Sequence, residues 1–198
     1  MPHIIKSGVG KGTLAKINDE NQLCVESGSI KHIAYVSSRK NLAFEFTTSQ
    51  FTITNSEYAV LRFKPTNDLY DMYIERISIN WNGGNTNHDR VAFIKLYMGM
   101  EAPSANNSSI TPVNIKIDNT STADADIDQW DTVGSGMTVS SNGDIFKLIH
   151  ASQGYTPVDL HGSVVVPKNG IIGITAEGEE DGKLSLGLTY YAYEKGVS

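Results

Sequence analysis

The sequence has little cysteine and little positive charge. Cys24 is the single cysteine among 198 residues, so the chain forms no internal disulfide and no zinc site built from several cysteines. Lys and Arg together number 16 against 22 Asp and Glu, which gives a formal net charge of −6. Proteins that bind the phosphate backbone of nucleic acids usually carry a basic excess. The charge therefore argues against a nucleic-acid partner.

Long apolar runs are also missing. The longest have the length of Val91-Ala92-Phe93-Ile94, far below the roughly 20 residues of a membrane-spanning helix. The first residues, Met-Pro-His-Ile-Ile-Lys, do not resemble a secretory signal. We therefore expect neither a membrane partner nor secretion, and the low cysteine content fits assembly in a reducing compartment.

What the chain does have is residues that favour strands and turns. Ser, Thr, Asn and Gly make up about a third of it, and these residues favour turns and extended segments over helix interiors. Apolar and polar residues alternate with a period of two in many windows, which is typical of half-buried strands. In the clearest window, 184–193, one face carries Leu184, Leu186, Leu188, Tyr190 and Ala192.

The alternation predicts about a dozen strands and no long helix, because no window has a sustained apolar stripe of helical period. A single helical turn is expected within 124–131. The predicted strands lie near residues 13–17, 22–26, 30–36, 42–48, 50–54, 58–64, 70–81, 91–98, 112–118, 145–150, 163–166, 170–176 and 183–193.

This succession of strands predicts an all-β fold, either an antiparallel β-sandwich or a barrel. The length favours a jelly-roll-like sandwich over an immunoglobulin sandwich, which needs about 100 residues. We expect residues 1–28 to form an extended N-terminal arm with the first short strands, and residues 29–198 to form a single β-sandwich (jelly-roll) domain. The stretches 99–111 and 119–144 are predicted to be long loops that contact partners.

The glycine-rich stretch Gly8-Val9-Gly10-Lys11-Gly12-Thr13 partly resembles a phosphate-binding loop. The Walker A pattern fails, however, because Ile5 occupies the position of the leading glycine and Gly12 follows the lysine. No helix pattern follows either. We interpret the stretch as part of the arm, in which Lys11 and Thr13 are candidate interface residues.

Acidic residues alternate along 124–131, Asp-Ala-Asp-Ile-Asp-Gln-Trp-Asp. An EF-hand would need glycine and glutamate where Gln129 and Ser135 stand, so that motif fails. A looser calcium or magnesium site stays open. The alternative that we favour is an acidic surface loop in which Trp130 contacts the core or a neighbouring subunit, and Trp130 is accordingly a candidate interface residue.

No arrangement of residues points to catalysis. No two of the five histidines lie within two positions of each other, so a cupin-like metal centre is not expected. The nucleophile motif G-x-S-x-G is missing. Cys24 lies between Leu23 and Val25, a position typical of a packed thiol. We therefore predict no enzyme activity, no catalytic or metal-binding residues and no cofactor.

Tyrosines cluster near the C-terminus, where Tyr191 and Tyr193 share the strand face opposite the leucines. Tyrosines on a sheet face serve either as a subunit interface or as a platform for sugars. The interface is the interpretation that we favour, because a sandwich has edges that assembly can cover.

Three stretches of the chain together support a family resemblance. They are a strand-turn-strand at 16–27, the segment Thr111-Pro112-Val113-Asn114-Ile115 with the Ser/Thr/Ala/Asp-rich residues that follow it, and 162–176 with the alternating strand after it. In their order along the chain and in their residue pattern, they resemble small β-sandwich virion structural proteins of tailed bacteriophages, of the head decoration or auxiliary capsid type.

The resemblance implies a protein without catalytic residues that binds the major capsid protein. It also implies self-association, often as trimers, and a location on the capsid exterior after assembly in the host cytoplasm. A decoration protein of this type stabilises the head shell. The alternative that stays open is a receptor- or carbohydrate-binding β-sandwich module of a tail fibre or baseplate.

Overall fold

The computed structural model describes residues 16–17, 23–24, 42–84, 90–99, 108–115, 124–130 and 143–195. These residues contain strands and no helix. The strands are β1 (Lys16–Ile17), β2 (Leu23–Cys24), β3 (Ala43–Thr47), β4 (Phe51–Ile53), β5 (Tyr58–Pro65), β6 (Tyr70–Gly83), β7 (Val91–Met98), β8 (Ser108–Ser109), β9 (Val113–Asn114), β10 (Ala125–Gln129), β11 (Asp144–Ser152), β12 (Gly154–Val166), β13 (Ile172–Gly178) and β14 (Gly182–Glu194).

Two antiparallel sheets pack face to face, which confirms the predicted all-β sandwich. Sheet A has the order β12-β6-β14-β3-β9, with β4 paired to β14, and sheet B has the order β11-β7-β13-β5-β10-β8. β1 and β2 pair only with each other among the described strands. The predicted N-terminal arm, residues 1–28, lies almost wholly outside the described residues.

Eight of the strands form four long-range pairs in a nested pattern. β3 pairs with β14, β5 with β13, β6 with β12 and β7 with β11. The second half of the chain therefore runs back along the first half in reverse order. Along each half, the chain crosses between the two sheets, so that neither sheet is built from one continuous stretch of sequence.

The core lies between the sheets and consists of the inward-facing residues of the alternating strands. The alternation predicts one apolar face on β14, and all of its side chains are buried: Leu184, Leu186, Leu188, Tyr190 and Ala192. They meet the inward side chains of β6 within sheet A and those of β5, β7 and β13 across the core. Tyr190 stacks on Phe44 at 5.4 Å between ring centroids and meets the ring of Phe63 edge-on at 4.9 Å.

Two local features shape sheet A. In β12 the register against β6 shifts between Asp159 and Val164. His161 and Gly162 in this bulge have positive φ values of 50° and 66°. In β14, Gly182 lies against the indole of Trp81, where a Cβ atom would come within 2.2 Å of the ring. Only glycine fits at that point.

The local structure differs from the sequence-based predictions at three places. The helical turn predicted within 124–131 is wrong, because residues 125–129 form β10, which pairs with β5 and β8. The predicted loops 99–111 and 119–144 contain the strands β8 and β10. β12 starts at Gly154 rather than near 163. The predicted strand 30–36 lies outside the described residues.

Candidate interaction surfaces

Of the five candidate interface residues, the three that the structure describes do not form one group. Lys11 and Thr13 lie outside the described residues. Trp130 directly follows β10 and is only 3% exposed, and its backbone N–H donates to the carbonyl oxygen of Val60 at 3.2 Å. The Trp130 side chain therefore presents almost no surface to solvent. Tyr191 and Tyr193 lie elsewhere, on sheet A.

Tyr191 and Tyr193 lie on the outer face of sheet A, as the alternation predicts. Tyr191 is paired with Tyr73 across β14 and β6, and the rings of Tyr193 and Tyr73 meet edge-on at 6.3 Å. Burial, together with the nearby Glu75 carboxylate, raises the pKa of Tyr191. Burial and the Asp71 carboxylate likewise raise the pKa of Tyr73. The three rings form a partly covered cluster rather than an open platform.

On the outer face of sheet B, a hydrogen-bonded network surrounds Glu57. Its Oε1 accepts hydrogen bonds from the hydroxyls of Tyr97 at 2.7 Å and Thr175 at 2.6 Å. Its Oε2 accepts from Nζ of Lys95 at 2.5 Å. Glu177 lies beyond Lys95, at 3.9 Å from the same ammonium group. The network connects the turn before β5 to the outward side chains of β7 and β13.

The protonation of this network follows from its geometry. Burial pushes the pKa of Glu57 up, but the hydrogen bonds from Lys95, Thr175 and Tyr97 outweigh burial and hold that pKa below its ordinary value. Burial and the hydrogen bond to Glu57 raise the pKa of Tyr97 to about 12. Glu57 is therefore a carboxylate, and Tyr97 a neutral phenol, at neutral pH. Both carboxylate oxygens already accept hydrogen bonds, so the network acts as a structural tie.

The acidic stretch at 124–131 is divided among separate partners. Asp124 accepts a hydrogen bond from Nδ2 of Asn67 at 2.7 Å, and Asp128 accepts one from Nε of Arg62 at 2.8 Å. Asp126 is exposed, and Asp131 lies outside the described residues. The part of the chain that the structure describes has no group of three or more His, Cys, Asp or Glu side chains placed to hold a metal ion.

Both lateral edges of the sandwich carry exposed apolar side chains. On one side lies β11, which pairs only with β7 among the described strands, and its Ile145 and Leu148 are 53% and 51% exposed. On the opposite side lies β9, where Val113 is 69% exposed and Ile115 just beyond the strand is also exposed. We call these the β11 edge and the β9 edge.

A polar groove crosses the outer face of sheet A. Its cavity of about 310 Å³ spans four adjacent strands, and we call it the sheet A groove. Its lining consists of Glu45, Thr47, Ser78, Asn80, Tyr155, Ser185 and Gly187. A second cavity of about 420 Å³ shares Asn80 with it and is lined further by Gln50, Trp81, Asn82, Gln153 and Gly154.

The sequence offers few signals for these features. The sequence predicts neither Glu57 nor the lining of the groove as functional residues, because each feature is assembled from strands far apart along the chain. One local signal is Gly187, which interrupts an otherwise complete alternation in β14. A glycine inside a strand often marks a place where another group approaches closely, and here Gly187 lies on the floor of the groove.

Comparison with known proteins adds no relative: no protein-family model, no curated protein and no solved structure matches the chain. Among the described residues there is also no helix of the length and apolarity that crossing a bilayer requires.

Proposed function

We propose that the protein is a non-enzymatic structural protein of a tailed-bacteriophage virion, which attaches to the head shell as a decoration or cement protein and stabilises it. The observation that carries this proposal is the pair of apolar edges on opposite sides of the sandwich. Exposed strand edges with apolar side chains favour pairing with another chain, and a shell protein has neighbours on all sides.

The strand order supports the jelly-roll interpretation that the proposal includes. Eight strands in nested pairs, wound into two four-stranded layers (β12-β6-β14-β3 and β11-β7-β13-β5), correspond to the double-sheet arrangement that occurs in viral capsid and lectin domains. Fold alone does not determine function. The exposed apolar edges therefore carry the proposal.

The position of the edges favours a ring of subunits. An interface between the β11 edge of one copy and the β9 edge of the next joins two different surfaces. Such head-to-tail contacts close into rings when the rotation per subunit allows it. A trimer is the smallest ring of this kind, and it is the state that we propose. The major capsid protein would then contact the surfaces that the ring leaves open.

Sedimentation and light scattering test the ring. Leu148→Lys places a charge on the β11 edge, and Val113→Lys places one on the β9 edge. If the two edges meet in a heterologous contact, either substitution alone converts the trimer into a monomer. An equimolar mixture of the two variants then forms at most a heterodimer, because each variant keeps one intact edge. Leu69→Lys, at another exposed apolar position, serves as the matched control and is expected to stay trimeric.

Binding to heads tests the location. The protein is added to phage heads assembled without it, and bound copies are counted by cryo-electron microscopy before and after heating. We expect regular placement over the shell and a gain in heat resistance. A monomeric wild-type protein that neither binds such heads nor protects them from heat would reject the proposal.

A further inference from the structure

The sheet A groove has features of a ligand site that lie beyond a structural role. Its residues come from four neighbouring strands and lie side by side in the register: Tyr155 is paired with Asn80, and Asn80 with Ser185. One step along, Ser78 is paired with Gly187, which in turn is paired with Thr47. The groove is thus built on a sheet, whose strands hold side chains more rigidly than loops do.

Two residues, Gly187 and Tyr155, form the floor and one wall of the groove. Gly187 has no side chain, so the floor between the neighbouring strands stays open. Tyr155 forms the wall and is 62% exposed, and its hydroxyl lies 3.1 Å from Oγ of Ser78. This contact restrains the aromatic ring while most of the residue stays exposed, so little conformational entropy is lost when a ligand packs against it.

The lining chemistry selects the class of ligand. Apart from the ring of Tyr155 and the backbone of Gly187, the first cavity is lined by hydroxyl and amide side chains and by one carboxylate, that of Glu45. Hydroxyls and amides both donate and accept hydrogen bonds, and a carboxylate accepts them on both of its oxygens. Lys and Arg are missing from the lining of both cavities, so the groove does not provide the cations that a phosphate or sulfate group requires.

The second cavity extends the groove and is also lined mainly by amide side chains. Gln50, Asn82 and Gln153 contribute three more amides, and Asn80 faces both cavities. Nε2 of Gln153 donates to Oδ1 of Asn82 at 3.1 Å, which orients both amides at the rim. Each cavity has the volume of a small ligand site, so the whole groove accommodates two or more linked units.

From these observations we propose that the sheet A groove binds a neutral oligosaccharide of two or more sugar units. One sugar packs its apolar face on the ring of Tyr155 above Gly187, and its hydroxyls bond to Glu45, Ser78 and Asn80. The next unit lies over the amides of the second cavity. This proposal goes beyond the shell-binding role and does not depend on it. The groove lies on the outer face of sheet A, away from the β11 edge, and only its end at Glu45, which is paired with Val113, borders the β9 edge.

The test is an array of neutral glycans printed beside sulfated and sialylated ones, followed by an NMR titration of the full-length protein with the best neutral trisaccharide. We expect neutral glycans to bind. Tyr155→Ala removes the wall, and Gly187→Val fills the floor, so each variant is expected to weaken binding at least tenfold. A Cβ at Gly187 meets neighbours at 3.4–3.5 Å, ordinary contact distances, so the first carbon of a side chain fits there without a clash.

Controls separate this site from the tyrosine cluster and from folding defects. Tyr193→Ala, on the same outer face but outside the groove, is expected to bind the trisaccharide as the wild type does. Tyr155→Phe keeps the ring and is expected to bind more tightly than Tyr155→Ala, which a folding defect would not produce. No binding to neutral glycans, binding only to the acidic glycans, or equal binding by the wild type, Tyr155→Ala and Gly187→Val would each overturn the proposal.

Discussion

The outer faces of the two sheets differ in how their polar groups are satisfied. On sheet B, Glu57 accepts hydrogen bonds from Lys95, Tyr97 and Thr175, and Asp128 accepts them from Arg62. These bonds join strands to one another across the face. On sheet A, hydroxyls and amides line an open groove whose ring wall, Tyr155, is mostly exposed.

This difference indicates a division of roles within one sandwich. A buried polar group costs free energy unless it is hydrogen-bonded, and the face of sheet B meets that requirement with its own side chains. A polar group open to water pays no such cost, and it stays available to a ligand. Sheet B therefore acts as the scaffold, and sheet A carries the surface that we propose for recognition.

The largest expected effect tests the core that both sheets share. Leu186 is fully buried between the sheets, whereas Leu148 on the β11 edge is exposed. Leu186→Ala should lower the free energy of unfolding by about 2–5 kcal/mol, the cost of lost burial and a cavity. Leu148→Ala should change it by about 0.5 kcal/mol or less. Urea denaturation in the monomeric Val113→Lys background measures both, and equal losses would show that the β11 edge belongs to the core.

The second test compares two glycines of β14 that face opposite ways. Gly182→Ala drives a Cβ into the Trp81 indole at 2.2 Å, whereas Gly187→Ala meets nothing closer than 3.4 Å. Overpacking costs about 1–3 kcal/mol, so the melting temperature should fall for Gly182→Ala. For Gly187→Ala it should stay unchanged or rise, because alanine restricts the unfolded chain more than glycine does. Calorimetry distinguishes the two, and a loss at Gly187 would mean that the groove floor is already closed.

These two glycines also show how much of the fold the sequence can predict. The alternation in β14 is strong enough to assign the inward and outward residues correctly from Leu184 to Tyr193. It says nothing about which strands lie beside β14. The open floor at Gly187 and the closed space at Gly182 depend on Ser78 and Trp81 of β6, which the sequence places about a hundred residues away.

β10 and β12 show the opposite case, in which local pattern fails. The β10 segment 125–129 has a single large aliphatic residue, Ile127, and alternating aspartates, so it resembles a loop. It becomes a strand because β5 supplies its hydrogen-bond partners and Arg62 pairs with Asp128. The start of β12 contains Pro157, which an edge strand tolerates. The pairing of β10 with β5 and the pairing of β12 with β6 leave no signal in the local sequence. The same holds for the Glu57 network.

The third test removes the charge at the centre of the sheet B network. Glu57→Gln should lower the free energy of unfolding by about 1–3 kcal/mol at pH 7, since charge-assisted hydrogen bonds are lost. The pKa of Glu57 is lower in the folded protein than in the unfolded chain. The wild-type advantage is therefore complete above the ordinary glutamate pKa of about 4.3 and disappears as the pH falls through the folded-state pKa.

Denaturation curves of both proteins between pH 2 and pH 7 measure this advantage. Glu194→Gln, at the exposed end of β14, is the matched control and should follow the wild type throughout. A deficit in Glu57→Gln that stays constant down to pH 2 would show that shape, rather than charge, holds the network together.

The smallest effect compares one ion pair from each face. Asp128 on sheet B is nearly buried beside Arg62, whereas Asp159 and Arg76 on sheet A are both largely exposed. Asp128→Asn should cost about 1.5–3 kcal/mol, as expected for a hydrogen bond to a charged group. Asp159→Asn should cost less, because water and salt screen an exposed pair. Raising the salt concentration should therefore reduce the effect of Asp159→Asn proportionally more than that of Asp128→Asn. If the two variants lose the same stability and respond equally to salt, the outer face of sheet A is as tightly tied as that of sheet B, and the division of roles between the sheets fails.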